Sequence, residues 1–126
     1  MSYVVRVTER RRSETPAGVM TTRASPTLGA TARLSMWEVE MTENASGPLH
    51  VFDSEQIWTV LDGELSVVIA GQTENLGRGD TVVIPEGLER QVTARTNVHL
   101  LVCGHGRAIA RVPGEAEPRG TPSWIA

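Results

Sequence analysis

The stretch that decides the fold is Gln56-Ile57-Trp58-Thr59-Val60-Leu61-Asp62-Gly63-Glu64-Leu65-Ser66-Val67-Val68-Ile69-Ala70. Residues 56–61 and 64–70 are short, apolar and rich in β-branched types, and they meet at Asp62-Gly63, a strong hairpin dipeptide. Side chains on a strand alternate between faces, so Gln56, Trp58 and Val60 share one face while Glu55, Ile57 and Thr59 share the other. Downstream, turns are expected at Ala70-Gly71-Gln72, Gly77-Arg78-Gly79-Asp80 and Pro85-Glu86-Gly87. They delimit strands at 81–84, 89–95, 97–103 and 106–112. Upstream, Trp37, Val39 and Met41 alternate with Glu38 and Glu40, the period of a half-buried strand over 35–41. Residues 3–8 read as a further strand, and the Thr-, Ser-, Pro-, Gly- and Ala-rich 12–30 as an extended arm or long loop. Short strands with frequent turns and no helical period predict an all-β sandwich or small barrel.

Composition narrows the chemistry. The chain has 126 residues, one domain's length, with a net charge of −3. All 12 basic residues are arginines, which excludes Schiff-base chemistry, an amine nucleophile and a P-loop lysine. One cysteine, Cys103, can form neither an internal disulfide nor a Cys-rich zinc site, which fits a cytoplasmic location. No nucleic-acid partner is expected from the acidic balance, and Arg10-Arg11-Arg12 reads as a solvated surface turn. No stretch approaches the ~20 apolar residues that span a bilayer, so no membrane partner is expected. No nucleophile elbow and no phosphate-cradling glycine loop occurs. The organisation read from the sequence is an N-terminal strand and arm over 1–30, a barrel over 31–112 and a tail over 113–126. Trp124-Ile125-Ala126 ends that polar tail with apolar residues, so it should dock on its own barrel or on a partner subunit.

Two segments, PLHVFDSEQIWTVLDGEL (48–65) and GDTVVIPEGLERQVTA (79–94), carry a family resemblance. They resemble the two motifs of the cupin superfamily, G-x5-H-x-H-x3,4-E-x6-G and G-x5-P-x-G-x2-H-x3-N. The first aligns through His50, Gln56 and Gly63, and the second through Gly79, Pro85 and Gly87. The resemblance implies a double-stranded β-helix, or jelly-roll, barrel in one domain, and a homodimer. It also resembles small single-domain bacterial cupins associated with secondary metabolism. In metal-dependent cupins three histidines and a glutamate hold a divalent ion. Here His50 is kept, while Phe52, Gln56 and Arg90 stand at the other three ligand positions, and Ala94 at the family's final asparagine.

That substitution pattern implies no metal and no other cofactor. Gln56 is a weak ligand, Phe52 fills ligand space, and Arg90 places a fixed positive charge where a cation would sit. The remaining metal alternative joins His50 with His99, Gln56 and water, a dioxygenase-like cupin with non-standard ligands. Arg90 shares its strand face with Val92 and Ala94, so it should point inward, where an unpaired guanidinium is costly. It should either pair with a buried carboxylate, with Asp53 and Glu38 as candidates, or bind a substrate anion; a rim position reaching solvent is the third option.

His50 can exchange a proton near neutral pH and is the candidate acid/base; a satisfied core histidine is the alternative. Gln56 would orient it, and Phe52, Trp58, Val60 and Val92 would line a substrate pocket. Trp37 reads as core, Cys103 as a small buried apolar residue, and His105 as part of an exposed turn. The expected function is a metal-independent isomerase, cyclase or dehydratase acting on a small molecule through proton abstraction and anion stabilisation by His50 and Arg90. A non-catalytic small-molecule binding or sensing cupin is the second reading.

Overall fold

The protein was analysed as a computed structural model, and residues 3–126 are described. The strands are β1 (Arg11–Thr15), β2 (Gly18–Ala24), β3 (Leu34–Met41), β4 (Val51–Phe52), β5 (Gln56–Asp62), β6 (Leu65–Ile69), β7 (Gln72–Leu76), β8 (Thr81–Ile84), β9 (Arg90–Ala94), β10 (Val98–His105) and β11 (Ala110–Arg111). Among the described residues the one helical element is a 3-10 turn at Val7–Glu9. A six-stranded sheet runs β1-β2-β3-β10-β5-β8, a three-stranded sheet runs β7-β6-β9, and β4 pairs with β11. All these pairings are antiparallel. The two sheets face each other as a jelly roll, the all-β arrangement expected from the sequence.

The core follows from alternation. Trp37 and Met41 on β3, Leu100 and Val102 on β10, Trp58 and Val60 on β5, and Leu65 and Val67 on β6 are all buried. Fully burying a side chain of this kind is worth about 1.5–3 kcal/mol. Gly104 belongs to the same inner surface. A Cβ there would come within 3.1 Å of Gln56 and 3.4 Å of Trp37, so the missing side chain makes room for both.

Several local expectations give way to tertiary structure. Residues 3–8 form no strand, and the arm contains the β1–β2 hairpin, which joins the main sheet through β3. The Asp62-Gly63 turn is present, but β5 and β6 do not pair; the turn carries the chain from one sheet to the other. Gly63 (φ +86°) lies so close to the Asn97–Val98 backbone that a Cβ would collide with the Asn97 carbonyl oxygen. Turn chemistry is local, whereas the allocation of strands to sheets depends on what each apolar face covers.

The arginine run is not a free turn. Arg10 reaches Glu38, and Arg11 donates to the carbonyl oxygen of Ala126 at 2.7 Å. Cys103 is half-buried on the outer face of β10, not in the core. The tail docks on its own barrel. Thr22 Oγ1 donates to the Trp124 carbonyl (2.6 Å), Ser35 Oγ to Ile125 (2.8 Å) and Ser25 Oγ to Ala126 (2.8 Å), and the Ile125 side chain is completely buried. Among the described residues no helix is long and apolar enough to cross a membrane.

Candidate functional site

His50 and Arg90 face each other across an isolated antiparallel bridge, each donating its backbone N–H to the other's carbonyl, at 3.1 and 3.0 Å. Directly opposed residues of such a pair project to the same side, so the bridge turns both side chains inward. Phe52 lies two residues beyond His50 and completes the cluster. Its ring meets the His50 ring edge-on at 5.1 Å, and the Arg90 guanidinium carbon stands 5.4 Å from its centroid. Aromatic and cation–π contacts of this kind hold the three groups together.

Arg90 is 0% exposed. Its Nε donates to the Leu88 carbonyl at 3.0 Å and Nη2 to the Pro85 carbonyl at 3.3 Å, while Nη1 is buried without a partner. Burial pushes its pKa down to about 10, so the group remains cationic near neutral pH. Neither carboxylate considered from sequence pairs with it. Asp53 is exposed and accepts from the Ile109 N–H at 2.8 Å. Glu38 points to the outer face of β3, where it meets Arg23 (2.6 Å), His99 (2.7 Å) and Arg10 (3.4 Å). The hydrogen bond from Arg23 holds the Glu38 carboxyl below its usual pKa against the opposing effect of burial. Arg90 is an inward cation held by two carbonyl dipoles and the Phe52 ring, with no carboxylate partner.

His50 Nδ1 lies 2.7 Å from the Pro48 carbonyl oxygen. A carbonyl only accepts, so Nδ1 carries the proton and Nε2 the lone pair of the neutral ring. Burial, joined by the charge of Arg90, lowers the His50 pKa against the raising effect of the Pro48 hydrogen bond. The ring is therefore a neutral base near pH 7. Gln56 does not orient His50. Its Oε1 accepts from Trp58 Nε1 at 3.0 Å, and its Nε2 is buried without a partner. Gln56 pairs with Ile84, the neighbour of Pro85 to which Arg90 donates, so Gln56 and Arg90 occupy the same end of the barrel. Ser54 Oγ, also buried and unpartnered, was not singled out from sequence; a serine two residues before Gln56 carries no motif. Unpaired buried donors are uncommon; among the described residues the one other is Arg11 Nε, beside the tail.

Of the expected pocket residues, Phe52, Trp58 and Val60 are buried in the core and Val92 is half-buried against it. Two surface clefts, of about 520 and 320 Å³, are lined by other residues. The donor set does not fit a divalent cation. His99 lies on the outer face with Glu38 and cannot join His50, and no three His, Cys, Asp or Glu side chains converge among the described residues. A guanidinium in place of a carboxylate or imidazole ligand adds charge of the wrong sign.

Comparison with known proteins agrees with this architecture. An RmlC-like cupin from Shewanella frigidimarina superposes with a TM-score of 0.71 at 17% identity, covering 83% of this chain and 91% of that one. Salicylate 1,2-dioxygenase from Pseudoaminobacter salicylatoxidans, in adducts with gentisate, gives 0.72 at 18% identity, covering 83% of this chain and 31% of that enzyme. Bacillus subtilis oxalate decarboxylase, described with Mn(II) centres, gives 0.70 at 16% identity, covering 78% and 28%. The chain thus spans about a third of each of these two enzymes. At such identities the likeness concerns the fold. No curated protein sequence matches the chain. The cupin-domain family pattern matches residues 37–103, more than half of the chain and the segment that holds His50, Gln56 and Arg90. The chain belongs to the cupin family.

Proposed function

We propose that this cupin is a metal-independent acid/base enzyme for a small molecule that carries or develops negative charge beside a carbonyl group. The observation that carries the reading is Arg90: fully buried, without a carboxylate partner, and with Nη1 unpaired. A buried guanidinium is costly to keep unless it is paired, and an anion supplied by a ligand completes it. His50 sits opposite as a neutral base. In the proposed step its Nε2 removes a proton from the carbon next to the carbonyl, and the electron pair of the broken C–H bond moves onto oxygen as an enolate. Arg90 Nη1 stabilises that oxygen. The imidazolium then returns the proton, to another carbon in an isomerisation or to a departing hydroxyl in a dehydration. The aromatic surroundings favour a flat, apolar substrate body, and one structural neighbour is described with gentisate, a small aromatic carboxylate.

The test is proton exchange. A panel of small aromatic and alicyclic keto acids is incubated with the protein in D2O, and loss of the α-proton signal is followed by NMR. We expect exchange with the wild type and a fall of about 10²–10⁴-fold in His50→Asn. Exchange that survives His50→Asn, or none across the panel, overturns the catalytic role. A second reading, a binding module without turnover, needs only an anion at the unpaired Arg90 Nη1 and no proton transfer at His50.

A further inference from the structure

An anion can complete Arg90 only if it can reach a fully buried group, and the open seam between the two sheets supplies a route. β7 and β8 are edge strands of different sheets and do not pair with each other. Between them lies the larger cleft, about 520 Å³, walled by Ile69, Gln72, Glu74, Thr81, Val82 and Leu88 among others. That volume falls within the ~300–1,000 Å³ of small-molecule sites.

Two of these wall residues also touch the surroundings of Arg90. Ile69 is its direct partner across the β6–β9 pairing, with its side chain on the same face. Leu88 supplies the carbonyl that receives Arg90 Nε. A third, Val82, is paired with Trp58 on the inner surface of the other sheet. The cleft therefore begins where the environment of Arg90 ends.

Its outer part carries the opposite charge. Gln72 and Glu74 pair with Ile69 and Val67, so they lie on the inward face of β7, yet both are exposed. An inward-facing edge position left open to solvent is where a ligand could replace the missing opposite wall. No salt bridge engages Glu74 among the described residues. An anionic head is repelled at Glu74 and attracted at Arg90, while the floor of Ile69, Val82 and Leu88 is apolar. We infer that the β7–β8 seam is a ligand subsite: it seats the apolar body of a molecule whose carboxylate or enolate end turns toward Arg90 and whose far end is neutral or cationic beside Glu74. The inference rests on the anion role proposed for Arg90, and it adds the route, the orientation and the ligand class.

Benzoate is the probe, titrated into methyl-labelled protein and followed by NMR. The Ile69, Val82 and Leu88 methyl signals and the Arg90 Nε–H signal should shift together with one binding constant. Val82→Trp fills the cleft and should weaken binding by about tenfold or more, the scale of losing a buried apolar contact. Gln72→Trp, at an exposed inward-facing position of β7 that lines the cleft, repeats this without altering the core. Para-aminomethylbenzoate should bind up to about fivefold tighter than benzoate, and terephthalate weaker by a similar factor, as one exposed charge contact allows. Glu74→Gln should reduce both differences, leaving only what Asp80 at the same cleft contributes.

The outcomes separate the two ideas. If Arg90→Met abolishes benzoate binding while both tryptophan variants bind normally, the seam falls and the anion role stands. If the tryptophan variants block binding and Arg90→Met does not, the anion role falls, and with it the orientation proposed here. If benzoate shifts none of these signals, both are overturned.

Discussion

His50 links the site to pH. Its folded-state pKa lies below the ordinary 6.5, chiefly because burial disfavours the charged ring. A histidine buried neutral contributes stability that is complete above the unfolded pKa and is lost as pH falls through the folded one. Wild type should therefore lose stability relative to His50→Gln as pH drops below about 6.5, where the unfolded chain takes up the proton first. Urea denaturation across pH 7 to 5 measures this, and parallel curves for the two proteins would contradict it. Arg90 gives a sharper contrast. If it is kept for a ligand, Arg90→Met should be as stable as wild type or more so, by up to about 2 kcal/mol, because a buried charge without a counterion is removed. A loss of 3 kcal/mol or more, the scale of breaking a structural buried pair, would make Arg90 a structural residue. The inward direction of Arg90 and Gln56 was legible from period-two alternation with Val92, Ala94 and Trp58. The partners of Arg90 were not, because they are carbonyls of the 85–88 turn, and a backbone acceptor leaves no mark on residue type.

At the scale of elements, the tail offers the clearest prediction. Thr22, Ser25 and Ser35 are buried hydroxyls, and each donates to a carbonyl of residues 124–126. Deleting residues 123–126 exposes them, uncovers the core and removes the Ile125 side chain. The cost should be about 3 kcal/mol or more, combining a fully buried aliphatic side chain with lost hydrogen bonds. Chemical denaturation of the truncated protein checks this; an unchanged midpoint would mean the tail only rests on the surface. The elements missed in the sequence carry weak strand signals. β1 and β2 are rich in Thr, Ser and Arg with Pro16 in their turn, a composition that also suits a loop. β7, Gln72–Leu76, has four exposed residues before Leu76 and no apolar alternation to announce it. β1 and β7 are edge strands, which take their order from a neighbour's backbone, so their own sequence says little. The Glu38–Arg10–Arg23–His99 cluster was illegible for a related reason: its members meet only once β2, β3 and β10 are side by side.

The whole molecule presents one broad apolar row to solvent. Across the outer face of the six-stranded sheet, Val83 pairs with Ile57, Ile57 with Cys103 and Cys103 with Met36. Val83, Ile57 and Met36 are 55%, 45% and 36% exposed. Such a row can meet its own copy across a two-fold axis, and a homodimer remains our expectation. Light scattering should give twice the mass of the chain, and Ile57→Glu should shift it toward the monomer; a monomeric wild type would contradict the expectation.

The central claim is that Arg90 receives an anion from outside the protein. A crystal structure of the wild type soaked in benzoate tests it most directly. The account predicts the carboxylate about 2.7–2.9 Å from Arg90 Nη1, the range of a charge-assisted hydrogen bond, with the ring lying toward Ile69, Val82 and Leu88. Benzoate absent from that position, with Nη1 instead paired to a carboxylate of the protein, would contradict it.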